Sequence, residues 1–348
     1  MDELGVLESL VRAYSPSGHE GPAVARFFTL ARKLGYRARV DAAGNGRAER
    51  GTGRPEVMFL GHIDTVDGRR PVRRVGRTVH GRGAVDAKGA IAAALCAGRE
   101  FEGPGRWVVV AAVGEETDSR GARYLARHSA PDALIAGEPS GWDGLALGYK
   151  GELRAVASFE GTRTHYSSPT PTAGDRAVAW AERVRGRYAG TGDPSPFRSV
   201  TAKVVGLEFV PSGDVERARV EVDLRLPPGR TPEEVVAEWR ADPDAPRIEV
   251  RLAVPPVEVD RANPVVRALE AGIRAEGARP TLWRKGGTSD LNVVLGRWRV
   301  PAAVYGPGDA RLDHTARERI SAEELERATR VLRHALGVLT TGSSTAPR

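Results

Sequence analysis

The stretch EVMFLGHID, residues 56–64, decides the fold. Its apolar run from Val57 to Leu60 does not alternate, and it stops at His62 and Asp64. A strand written this way is buried on both faces, as in parallel sheets covered by helices. Two later stretches, RWVVVAAVGEE at 106–116 and DALIAGEPS at 132–140, repeat the design and also end in polar residues. Helical spacing fills the gaps, in GPAVARFFTLARKLG (21–35), AKGAIAAALCAGREF (87–101) and SRGARYLARHS (119–129). The alternation predicts an α/β fold, with a mostly parallel sheet sandwiched by helices. The opening MDELGVLESLVRAY has no basic leader and reads as an amphipathic helix.

The pattern changes after residue 151. ELRAVASFEG, SVTAKVVGLEF, ARVEVDLRLPPG and RIEVRLAVPPVEV read as strands, and AGDRAVAWAERVRGRYA and TPEEVVAEWRA as helices. The second helix opens with Thr231, Pro232 and, three residues after the cap, Glu234. The order β-α-β-β-α-β predicts a ferredoxin-like α+β domain. The first pattern then resumes with a helix capped by Asn263, the buried run VPAAVYGPG and a closing helix capped by Ser321. The expected organisation is a first catalytic part at 1–151, an inserted domain at 152–260, a second catalytic part at 261–340 and a flexible tail at 341–348.

Composition narrows the function. Apolar residues make up 41% of the 348 and charged residues 28%, a soluble-enzyme balance. No apolar run is long enough for a membrane span. The one cysteine, Cys96, sits in a helical run and reads as core filler, so no internal disulfide is expected and the cytoplasm is. The net charge is +7, and only 5 of the 52 basic residues are lysines. Arginine-rich coding explains that charge as well as attraction to an acidic partner does. The arginines are scattered and aromatics few, so nucleic acid is not the expected partner.

The chemistry lies in GHIDTV (61–66), GRGAVDAKG (81–89), GEET (114–117), GEPS (137–140) and LDHT (312–315). Alone, each has a bland reading as a turn, a cap or ordinary structure. Together, most of them end buried strands, and ligands in open α/β sheets bind beyond the carboxyl ends of strands. His62, Glu115, Glu116 and Glu138 are therefore expected in one crevice, with Asp86 and His314 reaching it from loops. Imidazole and carboxylate are the usual ligands of catalytic zinc, and a carboxylate can bridge two ions. Asp64 lies two residues after His62, on the same side of a strand, where it can brace a metal-bound imidazole.

This set resembles the dinuclear metallo-hydrolases that include acetylornithine deacetylase, succinyl-diaminopimelate desuccinylase and the glutamate-releasing carboxypeptidases. The resemblance covers nearly the whole chain and implies a zinc-exopeptidase-like catalytic domain whose inserted domain is a lid or dimerisation domain. It implies two divalent metal ions, zinc by default, with cobalt or manganese as alternatives. One would be held by His62, Asp86 and Glu138, the other by Asp86, Glu116 and His314. Glu115 matches the general base and Asp64 the supporting acid. The peptide after Asp86 is expected to be cis. GTRTHYSSP (161–169) resembles the stretch whose histidine, here His165, reaches a partner subunit's site and steadies the oxyanion, although Thr164 and Tyr166 depart from the pattern. That implies a homodimer. GGTSD (286–290) resembles the loop that binds the substrate carboxylate, through Gly287, Thr288 and Ser289, with Lys285 or Arg284 adding charge.

GEPSGWDGLALGYKGEL (137–153) is most similar to the branch that releases lysine or ornithine from the C-terminal glutamate side chain of an acidic amino-group carrier protein. The expected function is that hydrolysis, in lysine or arginine biosynthesis. The alternatives are deacylation of N-acetylornithine or succinyl-diaminopimelate, and exopeptidase action on small peptides. A non-catalytic binding protein is disfavoured by the presence of Glu115.

Overall fold

The computed structural model describes residues 1–188, 195–242 and 245–341, so the tail expected at 341–348 lies, beyond Thr341, outside the described residues. The chain divides into two compact units. The first comprises Met1–Leu147, Val259–Trp283 and the described residues from Ser289 onward; the second is Gly148–Glu258 with Arg284–Thr288.

The first unit is built on the parallel strands Glu56–His62, Gly105–Ala112, Ala133–Gly137 and Ala302–Val304. All seven residues of Glu56–His62 and all three of Ala302–Val304 are buried, which is why their sequences do not alternate. Registers are level at the carboxyl ends: His62 pairs with Ala112, Gly61 with Gly137, and Val304 with Ala136. Whatever follows these residues must emerge along one edge. Antiparallel strands extend the sheet, with Gly46–Thr52 beside Gly105–Ala112 and Gly144–Tyr149 beside Ala302–Val304.

The helix Lys88–Ala97 has all ten residues buried, consistent with KGAIAAALCA being apolar around its circumference. Cys96 belongs to this core, and burial pushes its thiol up to about 12. Helix Glu3–Arg12 starts on Asp2, whose side chain accepts from Gly5 N–H, and buries Leu4, Val6, Leu7, Leu10 and Val11. The fold class is the expected one, α/β, with a sheet whose central strands are parallel lying between helices.

The second unit holds a four-stranded antiparallel sheet in which Thr201–Ser212, Val215–Leu226, Gly151–Thr162 and Arg247–Val254 are successive neighbours. Helices Ala173–Tyr188 and Pro232–Arg240 supply its core with Trp180 and Trp239, whose rings meet edge to face at 5.3 Å. Thr231 and Glu234 form the capping box read from sequence. The edge strand Thr201–Ser212 exposes Val205, Leu207 and Phe209.

Candidate metal centre

The residues after the level strand ends converge within the first unit. His62 is the last residue of its strand and is buried. Its Nε2 lies 3.0 Å from Asp86 Oδ1, and its Nδ1 lies 3.1 Å from the carbonyl oxygen of Asp64. His314 Nε2 lies 3.0 Å from the other Asp86 oxygen, Oδ2, and 3.1 Å from the Glu116 carboxylate. Asp86 is thus shared between two imidazoles. Three ligand groups gather there within 4.8 Å: His62, Asp86 and Glu138; Asp86, Glu116 and His314; and His62, Glu115 and Glu116.

Backbone geometry fixes these positions. Glu115 and Glu116 lie in the turn after Gly105–Ala112, and their N–H groups donate to Asp64 Oδ1 and Oδ2, each at 3.1 Å. Ser17 donates its hydroxyl to the same carboxylate at 2.7 Å. Asp64 therefore holds the turn that carries both glutamates. Its brace on His62 runs mainly through its backbone carbonyl, with the carboxylate at 3.5 Å from Nδ1. The Asp86–Ala87 peptide is cis. The Asp86 loop is pinned by Glu318, which pairs with Arg82 and accepts from Gly83 N–H at 2.8 Å. Gly83 sits against Thr65, where a Cβ would come within 2.7 Å of the threonine methyl. His314 reaches the site from a 3-10 turn, Ala310–Leu312, and adopts φ 60°. Such a left-handed backbone costs a non-glycine residue roughly 1–3 kcal/mol, and it is retained where surroundings demand it.

The electrostatics call for cations. Burial disfavours charge on Asp86, but hydrogen bonds from His314 and His62 hold its carboxyl well below the usual range. Burial likewise pulls His62 down, and its bonds to Asp64 and Asp86 more than reverse this. Asp86 and Glu116 push His314 up to about 10. Glu115 is raised well above an ordinary carboxylate by burial; the His62 charge opposes this, and Glu138, Asp290 and Glu116 add to it. Buried acids crowded this closely need compensating positive charge. Two imidazoles sharing one carboxylate with flanking glutamates are a donor set that fits a pair of divalent ions.

Besides Ser17, Arg82 and Glu318, two further side chains here have no counterpart among the residues singled out in the sequence. Asp290, which closes GGTSD, is buried close to His62, Asp64 and Ser119. Burial raises it to about 7, against the His62 charge and with that of Asp64. The GGTSD motif was its available signal. Lys88 is wholly buried, and its Nζ donates to Ala13 O at 2.8 Å, tying the first helix to the Asp86 loop. DAKG offered only a lysine beside an acid, which is usually solvated.

The remaining predicted residues divide between the units. Ser289 belongs to the first, where its hydroxyl caps Asp290–Leu295 by accepting from Leu291 N–H. Lys285, Gly287 and Thr288 belong to the second. There Lys285 Nζ stands 5.6 Å over the Tyr149 ring, and the Thr288 hydroxyl donates to Glu152 at 3.3 Å. His165 is exposed on the second unit, and its Nδ1 accepts from Ser167 N–H at 3.2 Å.

Comparison with known proteins gives a consistent picture. Residues 58–337 match the model of peptidase family M20/M25/M40. The [LysW]-lysine hydrolase of Deinococcus radiodurans is 40% identical, over 97% of each chain. The [LysW]-lysine/[LysW]-ornithine hydrolase of Sulfurisphaera tokodaii is 29% identical, over 92% of this chain and 90% of its own. Among solved structures, the M20 family metallo-carboxypeptidase Sso-CP2 of Sulfolobus solfataricus superposes with a TM-score of 0.75 at 17% identity, over 98% of this chain and 100% of that one. A Staphylococcus aureus tripeptidase does so at 0.76 and 18%, over 97% and 98%.

Proposed function

Because the chain belongs to peptidase family M20/M25/M40, a metal-dependent class of amide-bond hydrolases, we propose that it releases lysine, ornithine or both from the amino-group carrier LysW. The observation that carries this reading is the 40% identity to the Deinococcus radiodurans [LysW]-lysine hydrolase, which extends over 97% of both chains. An enzyme of a different substrate class would be expected to diverge in its substrate-facing segments and loop lengths before its metal ligands.

In this reading His62, Asp86 and Glu138 hold one divalent ion, and Asp86, Glu116 and His314 the other. Zinc suits these nitrogen and oxygen donors, and cobalt or manganese can occupy the same set. The ions, when bound, supply Lewis acidity toward the scissile carbonyl and acidify water. Glu115, raised by its buried acidic surroundings, takes the proton of the attacking water and passes it to the leaving α-amine. Asp64 acts through the backbone, since both turn N–H groups rest on its carboxylate. His165, carried by the stretch GTRTHYSSP, is the residue that would steady the oxyanion in a partner subunit's site. Lys285, Gly287, Thr288 and Ser289 contribute to the substrate-carboxylate loop. The exposed apolar edge Thr201–Ser212 supports a homodimer joined strand to strand. The single thiol suits the cytoplasm, and no helix among the described residues is long and apolar enough to cross a membrane.

The test is amino-acid release from LysW carrying γ-glutamyl-linked lysine or ornithine, beside N-acetylornithine and N-succinyl-diaminopimelate. Release from the carrier, abolished by chelator and restored by zinc or cobalt, is expected. Preference for a free acylated amino acid would overturn the carrier reading. In the same assay Glu115→Gln is expected to lose about 10²–10⁴-fold in kcat, the usual span for a general base, while retaining metal.

A further inference from the structure

Just beyond Asp64 the chain leaves the metal-bearing strand as VDGRRPV, residues 66–72. Arg69 and Arg70 are exposed on this loop, and neither is joined to an acid among the described residues. Together with Arg12, Tyr14 and Arg82 they line a cavity of about 200 Å³. The cavity lies wholly within the first unit.

Its cationic character is built in rather than incidental. Arg82 has a side chain only 5% exposed, and although it pairs with Glu318, its Nε has no hydrogen-bond partner. Gly68 runs at φ 102°, and a Cβ there would stand 3.6 Å from Arg82 Nη2, so the loop lies close over that guanidinium. Gly68 N–H donates to the Tyr14 hydroxyl at 3.2 Å, which anchors the loop. The acids nearby are Glu8, paired with Arg12, Glu318, and Asp67 on the loop itself. Arg69 and Arg70 are left to face solvent as uncompensated charges.

The position is informative. Arg82 also donates to Thr315 O at 3.2 Å, and Thr315 follows His314. The cavity is therefore bounded by segments that lead directly into two of the metal-ligand candidates. Guanidinium groups bind carboxylates as forks, and a cavity this small takes side chains rather than a folded domain. Tyr14 is its one aromatic residue, whereas nucleic-acid grooves stack successive bases on several.

We propose that the Arg69–Arg70 loop and its cavity are a docking site for an acidic peptide segment of the macromolecular substrate, engaged while the scissile bond occupies the metal centre. This rests on the carrier reading for its biological meaning. The surface itself is testable without it.

The probe is a fluorescein-labelled decapeptide alternating Glu and Ala, titrated by anisotropy against metal-loaded, full-length enzyme. The variant R69E/R70E is compared with R26E/R127E, which makes the same change in net charge at exposed arginines elsewhere on this unit. R69E/R70E is expected to weaken binding by about tenfold or more, and the control by less than about twofold. Equal losses in both, or none in either, overturn the proposal. Displacement of the peptide by an equal concentration of inorganic phosphate also overturns it, in favour of a small-anion site. Should R69E/R70E misfold, R69Q/R70Q, checked for wild-type metal content, is expected to give an intermediate loss. In the activity arm, KM for carrier-linked lysine should rise about tenfold with kcat held, while release from free N-(γ-glutamyl)lysine is unchanged. If the wild-type enzyme releases nothing from the carrier, the functional reading fails, and peptide binding still decides the surface.

Discussion

Asp86 gives one oxygen to His62 and the other to His314, and its charge raises both imidazoles. A histidine raised well above 6.5 keeps its proton at neutral pH, whereas a metal takes the neutral ring. In the metal-free protein the two ion pairs stabilise the fold fully below about 6.5 and fade as pH climbs through the folded values, about 10 for His314. Metal loading must expel these protons, so affinity should rise with pH across the neutral range. Calorimetry in buffers of differing ionisation enthalpy is expected to show about two protons released per enzyme at pH 7 on loading both ions. Release near zero would remove the two histidines from the ligand set. The sequence showed His62, Glu115, Glu116 and Glu138 because each ends a buried apolar run, where a polar residue is conspicuous. Ser17, Lys88 and Asp290 were not legible as site residues. Each acts through a tertiary contact, and a serine in a loop or a lysine beside an acid has an ordinary reading until the fold brings its partner near.

Each strand end is held by groups remote in sequence. Asn45 is wholly buried between strand Gly46–Thr52 and the turn before Glu115. Its Oδ1 accepts from Val113 N–H at 3.0 Å, and its Nδ2 donates to Gly121 O at 3.2 Å and to Asp41 at 2.8 Å. Asn45→Ala would strand these groups away from water. A loss of about 2 kcal/mol is expected in denaturant unfolding, together with a reduced kcat, because the Glu115 turn begins one residue later. A stability change under about 0.5 kcal/mol would show that the bridge is not required. At this scale the buried parallel strands and long helices were legible, since continuous apolar runs and helical spacing are strong signals. The antiparallel pair Arg37–Val40 and Gly46–Thr52 was not, because it lies at the sheet's edge and is largely polar. Gly144–Tyr149 is broken by glycines, and Asp290–Leu295 is too short for helical periodicity to register.

For the molecule as a whole, Leu207 is 59% exposed in the middle of an edge strand, with Val205 and Phe209 on either side. Unpaired apolar edges of this kind invite another strand. Leu207→Glu is expected to turn a dimer of twice 37.3 kDa into a species of 37.3 kDa in analytical ultracentrifugation. A wild-type protein that already sediments at 37.3 kDa would refute the strand-to-strand dimer.

The sheet also carries a schedule. Strand Ala302–Val304 lies between Ala133–Gly137 and Gly144–Tyr149, two strands that precede it by a little under half the polypeptide. On the ribosome, the slot between those strands stays open while the chain grows from Gly137 to Val304. That takes on the order of ten seconds at about 5–20 residues per second. His314 emerges later still, so a nascent chain can present His62, Asp86 and Glu138 together well before Asp86 can meet its second imidazole. The order of synthesis thus gives the two ligand sets different birth times, and the set that includes His314 becomes available only once the slot has been filled.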